Sequence, residues 1–253
     1  MSEARGRAVL APGIAGLCTR IAPAAWASAE PRVPGGGARI PGIAGLCTRI
    51  SSAAGASAEP RVPGACFLRM AGAAWLAMVA AGALPAAPPE YAVDSVALEG
   101  GGATPRLRLD NGRIAIAVLP ELGGKIVSLR RVDGREFLSR SDRPYRRRVQ
   151  GQEYGETEFD GIDELFPSLG SCEIASGPWQ GRRVPDHGEL VTLPWQVVEG
   201  PGIALEVASP VFPYVFRRTA TLEDDTLVLD YAVTNTSIHP FAFTYTFHPL
   251  FAG

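Results

Sequence analysis

From Arg106 onward, apolar and polar positions alternate in short runs bounded by turn chemistry. Residues 106–109 (RLRL) alternate, Asn111-Gly112 supplies a tight hairpin turn, and residues 113–119 (RIAIAVL) resume as a strand. A Gly123-Gly124 break precedes a strand over 125–129, and Asp133-Gly134 turns the chain into 136–138. Further strands are predicted at 195–199, 202–208, 213–221, 226–235 and 240–247. Residues 226–234 (TLVLDYAVT) alternate as a sheet with one solvated face should. Few stretches carry a 3.6-residue period with caps. The predicted class is all-β, a sandwich of antiparallel sheets.

Residues 139–190 interrupt this pattern with many charges, several Gly and Pro, and only brief apolar runs. A loop that long in a compact domain is usually either functional or mis-assigned. It holds Asp160, the segment 161–167 (GIDELFP), and Asp186-His187-Gly188-Glu189, polar groups of the kind that loops present above a rigid sheet.

The first 69 residues read differently. PGIAGLCTRI at 12–21 recurs unchanged at 41–50, and the 29-residue copy continues through 35 and 64 with three differences. Two copies rich in Ala, Gly and Pro, without a recurring apolar face, make no solenoid. Residues 1–69 are therefore expected to be a disordered extension, as upstream sequence read from an early start codon would be. Residues 70–84 are uncharged and mostly apolar, follow Arg69, and run into a Pro/Ala segment. Fifteen residues are short for a membrane span and match a signal-peptide core within 70–89, the alternative being a buried Ala-rich helix. With a functional signal over 70–87 the domain at 90–253 would be periplasmic or secreted; without one, cytoplasmic. No stable membrane partner is expected.

The net charge of −2 over 253 residues gives no reason to expect nucleic-acid binding. It conceals an asymmetry. Residues 1–69 carry eight Arg against three Glu, and 70–253 carry sixteen basic against twenty-three acidic residues. All but one of the basic residues are Arg, the exception being Lys125, a usage that reads as codon bias. Among four cysteines only Cys172 falls in the expected domain, where it has no disulfide partner. No zinc spacing, nucleotide-binding glycine loop or serine nucleophile elbow appears, so neither a metal nor a cofactor is expected.

Four segments, in order, resemble the galactose mutarotase-like superfamily, the aldose 1-epimerases and their relatives. Residues 113–130 (RIAIAVLPELGGKIVSLR) look like its opening hairpin with a Gly-Gly turn. Residues 161–170 (GIDELFPSLG) are similar to a loop segment of the hexose-phosphate mutarotases, and 186–195 (DHGELVTLPW) to the superfamily's His-Gly segment with its downstream Trp. Residues 229–251 (LDYAVTNTSIHPFAFTYTFHPLF) resemble the strand pair that ends on the catalytic His. The resemblance covers about 106–253.

It implies an antiparallel β-supersandwich with a sugar on one sheet, of which this chain holds the N-terminal half to two-thirds. It also implies an isomerase that interconverts sugar anomers by acid/base ring opening. His248 would be the general acid, and His187 would contact the sugar near its anomeric end. Imidazole suits the acid role because both protonation states are accessible near neutrality. Asp163, Glu164, Glu189 and Trp179 are the candidate substrate contacts, the carboxylates as acceptors for hydroxyls and the indole as a stacking face. The expected partner is a monosaccharide or small glycan.

Two departures from the family pattern matter. The family's general base is a Glu well beyond its catalytic His, hence beyond residue 253 here. A truncated sandwich, inactive alone and with an exposed face and an unpaired edge, is the expectation. Where hexose-phosphate mutarotases carry an Arg before the loop Gly, this chain has Asp160, with Asp163 and Glu164 close behind, which favours neutral hydroxyls over a phosphorylated sugar. The alternative function is a non-catalytic carbohydrate-binding sandwich domain. Each candidate also has a plain structural alternative: a half-buried strand histidine for His248, loop charges for Asp163 and Glu164, a core indole for Trp195, and a solvated, self-paired loop for Arg146-Arg147-Arg148.

Overall fold

Burial alternates along the strands with the period of two seen in the sequence, and that alternation builds two layers. The computed structural model describes residues 2–10, 22–23 and 89–253. The signal-like segment up to residue 88 and both copies of the repeat, apart from residues 22–23, lie outside them.

Strands β1 (Ser2–Leu10), β2 (Ala22–Pro23), β10 (Gln196–Val197), β11 (Ile203–Ala208), β12 (Tyr214–Glu223) and β13 (Thr226–Asn235) form one antiparallel sheet in the order β10-β11-β12-β13-β1-β2. The other sheet runs β14-β7-β6-β5-β4-β3. It is built from β3 (Glu90–Ala97), β4 (Ala103–Asp110), β5 (Ile114–Leu119), β6 (Lys125–Arg131), β7 (Ile162–Leu165) and β14 (Thr246–Pro249). A two-stranded ribbon, β8 (Cys172–Glu173) and β9 (Arg183–Val184), stands apart. The inner faces bury one continuous core, with Leu107, Leu109, Ile116 and Ile126 from one sheet meeting Leu205, Phe216, Leu227 and Leu229 from the other. The protein is an all-β antiparallel sandwich. Among the described residues there is no α-helix, and no helix is long and apolar enough to cross a membrane.

The start of the chain departs from expectation. Ser2–Leu10 is not part of a disordered extension but pairs along its whole length with β13, Ser2 opposite Asn235 and Leu10 opposite Leu227. Its inward positions are Ala4, Gly6, Ala8 and Leu10, facing the row Val233, Tyr231, Leu229 and Leu227. Three of those four inward residues are small, so the hydrophobic alternation that marks a strand is nearly invisible in the sequence. Outward, Arg7 lies 3.0 Å from Asp230 and 3.6 Å from Glu223. β13 is thus not an edge strand, and the edge passes to β1, which, among the described residues, β2 covers only at Gly6 and Arg7. Leu10 is fully buried, and Leu10→Ala is expected to cost about 2–3 kcal/mol. Urea unfolding checks this, together with faster amide exchange in β13.

Two other differences concern backbone pairing. Residues 240–247 were expected as a strand, and Phe241, Phe243, Tyr245 and Phe247 do pack on the core, yet ladder pairing extends only over Thr246–Pro249 against β7. The segment works as an edge whose aromatic side chains, more than its backbone, tie it down. Residues 136–138 make isolated bridges, Glu136 to Arg130 and Leu138 to Phe251, instead of a strand.

On β6 an irregularity sets Ala117 opposite Ser128 and Val118 opposite Ile126. Val127 is the inserted residue, so Val127 and Ser128 both face outward while Ile126 and Leu129 stay in the core.

Candidate functional site

The site stands on the outer face of the second sheet. In β7 and β14 Asp163 pairs with His248 and Glu164 with Phe247. Because successive side chains point to opposite faces, Asp163 and His248 rise together on the outside while Glu164 and Phe247 turn inward. Lys125 opens β6 on the same outer side, and Ile126 is the β6 residue that pairs with β7. Gly161 makes that approach possible: at φ +65°, a Cβ there would sit 2.3 Å from the Ile126 carbonyl oxygen.

The long loop supplies the rest. Tyr154 comes from a short 3₁₀ turn, Tyr154–Glu156. His187 has the left-handed conformation, φ +63°, and the Gly188 that follows, φ +76°, would place a Cβ 2.1 Å from the Phe166 carbonyl oxygen. A non-glycine residue held at positive φ stores backbone strain, which concentrates at functional positions. Two backbone hydrogen bonds fasten this turn beside the end of β7, from His187 N–H to Leu169 O and from Glu189 N–H to Phe166 O, each 2.9 Å.

These elements bring His187 and His248 together, their ring centroids 5.8 Å apart and steeply inclined. Tyr154 joins them, stacking on His187 at 4.2 Å and lying 3.2 Å through its hydroxyl from His248 Nδ1. That hydroxyl donates to Asp163 Oδ2 at 2.9 Å. A phenol has one proton, so the His248 contact requires Nδ1–H to donate to the phenolic oxygen, which leaves Nε2 for exchange with a ligand. His187 holds Nδ1 2.7 Å from Asp186 Oδ2, and its Nε2 is likewise the nitrogen left over.

Beneath this pair lies Lys125, fully buried. Its ammonium donates to Glu158 O, Asp160 O and Asp163 Oδ2 at 3.1, 2.6 and 2.9 Å, with Asp160 Oδ1 also 2.9 Å away. Asp160 in turn accepts from the Tyr145 hydroxyl. A compact ammonium with three donors meets this cage, which the planar fork of an arginine does not match. Arg148 and Glu158 form a second buried ion pair at 2.8 Å. Arg148 is therefore not part of a solvated loop, whereas Arg146 pairs with Glu99 at the surface.

Electrostatics follow from burial. Burial pushes the Tyr154 phenol up, and the neighbouring Asp163 carboxylate pushes it further, so it keeps its proton for Asp163. Burial lowers the His248 imidazole below its ordinary 6.5; Asp163 opposes the shift, and His187 and Lys125 reinforce it. A lowered value in the folded state means that the unfolded chain binds more protons as pH falls through 6.5. The stability contributed by His248 is therefore complete above 6.5 and is lost as pH drops toward its folded value. Proton NMR titration of the imidazole should give a midpoint below 6.5; a midpoint above it contradicts this environment.

Not every candidate reaches the pair. Asp163 does, through Tyr154. Glu164 faces away from the pair: alternation along β7 turns it into the core, where Arg218 Nη1 at 3.0 Å and the Tyr231 and Tyr245 hydroxyls at 3.0 and 2.6 Å satisfy it. Glu189 is also turned inward, accepting from the Tyr214 hydroxyl at 2.6 Å. Burial raises its carboxyl against the hydrogen bonds of Ser209 and Tyr214. Trp179 packs edge-on to Phe241 and His239, at 5.6 and 6.4 Å, with no ring contact to His187 or His248. Trp195 is a core residue. Cys172 is exposed, and among the described residues no group of His, Cys, Asp and Glu is arranged to hold a metal ion.

Tyr154 and Lys125 are site residues that the motifs do not reveal. Tyr154 lies in a charged stretch without period. Lys125 carried a signal after all, since it is the one lysine among twenty-four basic residues. Where arginine serves everywhere else, a retained lysine marks a place that arginine does not fit.

No protein-family profile and no curated protein matches this sequence. Among solved structures, a TPR-domain containing protein from Parabacteroides distasonis ATCC 8503 is similar at 16% identity with a TM-score of 0.28, over 51% of this chain and 24% of that one.

Proposed function

We propose that this chain is an aldose 1-epimerase-like protein that interconverts sugar anomers by acid/base ring opening. The supporting observation is the convergence of His187 and His248, each with one ring nitrogen engaged by the protein and the other left for a ligand. The motifs that resemble the galactose mutarotase-like superfamily give His248 the same acid role and set His187 at the anomeric end of the sugar.

Ring opening removes the proton from the anomeric hydroxyl, breaks the bond between C1 and the ring oxygen, and delivers a proton to that oxygen. His187, its Nδ1–H directed at Asp186, accepts the first proton at Nε2, taking the part that a Glu plays in the resembled family. His248, in its imidazolium form, donates the second from Nε2 and is left neutral. Rotation about C1–C2 and the reverse transfers close the ring as the other anomer, so both histidines return to their starting states. Tyr154 fixes the His248 tautomer, and Lys125 keeps Asp163 in place as the acceptor for Tyr154.

The test is anomer exchange, followed by polarimetry or NMR, with glucose, galactose and several other aldoses. Rates no faster than the spontaneous ones for all of them remove the reading. One observation favours a second reading, a non-catalytic carbohydrate-binding domain: burial holds His248 toward its neutral form, which suits a hydrogen bond to a hydroxyl. Binding of the same sugars without exchange identifies that case.

A further inference from the structure

The acidic residues that argue against a charged substrate in the sequence are buried and largely ion-paired. Asp160 and Asp163 share the single positive charge of Lys125, Glu164 is paired by Arg218 and Glu158 by Arg148. Beside them, on the same outer face, lies a cleft of about 370 Å³ over β4, β5 and β6, within the size range of small-ligand sites. Four arginines line it: Arg106, Arg108, Arg130 and Arg140. No acidic residue does.

Register explains the hollow. Arg108 stands opposite Ala117, and Ala117 opposite Ser128; one row along, Ala115 stands opposite Arg130. Two alanines on the middle strand leave an open floor between long cationic side chains. Inward neighbours Leu107, Leu109, Ile116 and Leu129 hold the outward direction of the arginines. The charge is only partly cancelled. Arg106 and Arg108 share one partner, Asp94, at 2.7 and 3.6 Å, and Arg140 pairs with Glu136 at 3.0 Å. Arg130 makes no ion pair. Four guanidinium groups against two carboxylates leave a surplus of two positive charges, focused by a concave wall.

Tyr145 lines the same cleft, and its hydroxyl donates to Asp160, which leans on Lys125 and so on Asp163 and the histidines. At about 4.8 Å per strand, Arg106 and Arg108 on β4 stand four strands, on the order of 19 Å, from His248 on β14, and Arg130 on β6 stands two strands away and five residues along from Lys125. That span exceeds a single hexose and calls for several linked residues.

We infer that the arginine cleft is a subsite for an anionic group of an acidic oligosaccharide whose reducing end lies at His187 and His248. This rests on the proposed sugar chemistry and adds the substrate class to it. Guanidinium groups pair with carboxylate and sulfate oxygens alike through two-pronged hydrogen bonds, so the shared chemistry is a saccharide-borne oxyanion.

Calorimetric titration of the full chain tests it, with trigalacturonate, a sulfated galactan trisaccharide, neutral maltotriose and inorganic sulfate as probes. One or both acidic trisaccharides should bind at least tenfold tighter than maltotriose, the stronger of the two identifying carboxylate or sulfate as the natural group. Affinity should fall as salt rises. Arg130→Ala should weaken acidic binding at least tenfold and leave maltotriose unchanged. Ala115→Leu, which fills the floor without altering charge, should do the same. Acidic and neutral trisaccharides binding alike, an unaffected Arg130→Ala variant, or inorganic sulfate competing as strongly as the saccharides bind would each overturn the inference. Because binding is measured, failure of anomer exchange leaves this result standing, and exchange on neutral sugars without charge-dependent binding sinks the subsite alone.

Discussion

His248→Ala is expected to slow anomer exchange by about 10²- to 10⁴-fold, the usual contribution of a positioned acid or base. Sugar affinity should change far less, so the loss should fall on kcat more than on KM. NMR exchange between anomers of the best substrate measures it directly. The acid role also sets the sign of the pH profile. Since burial holds the His248 imidazole below its ordinary value, its protonated fraction shrinks as pH climbs past that lowered value, and the rate should decline on that limb. A flat profile together with an active His248→Ala enzyme would remove His248 from the chemistry.

Arg218→Ala is expected to cost about 3–5 kcal/mol of stability, the scale for leaving one member of a buried ion pair without its partner. Arg218 is fully buried, bonds Glu164 and the Gly124 carbonyl, and stacks its guanidinium 5.3 Å from the Trp195 ring. The loss strands Glu164 between two tyrosine hydroxyls. Urea unfolding of the single variant and of the double variant Arg218→Leu with Glu164→Leu separates the causes: the double change should cost less than Arg218→Ala, because it buries no lone charge. The site should feel the single variant too. Gly124 precedes Lys125, and Glu164 follows Asp163, so the network that binds the two sheets together also anchors both residues beneath the histidines.

The layers of the sandwich were legible because large apolar residues alternate with polar ones, as in β12 and β13, where the inward row of Tyr, Phe and Leu is unmistakable. Where inward residues are small the signal vanishes, which is why β1 with Ala4, Gly6 and Ala8 reads as low complexity. The histidine pair was legible through motif order. Which neighbouring carboxylate faces it was not, because Asp163 and Glu164 are adjacent in the chain, and only the register of β7 against β14 decides between them. Tyr154 and Lys125 escaped for a related reason. Each acts through a contact with residues far along the chain, and nothing local in a tyrosine or a lysine announces such a partner.

The pairing of Ser2 with Asn235 has a temporal side. β1 precedes β13 by more than two hundred residues and has no template until β13 is made, so this one pairing forms late, and loop-closure entropy makes it slow. Until then the Leu227, Leu229 and Tyr231 side of the nascent sheet has a bare margin. Such a margin is where a partly folded chain is most exposed to aggregation.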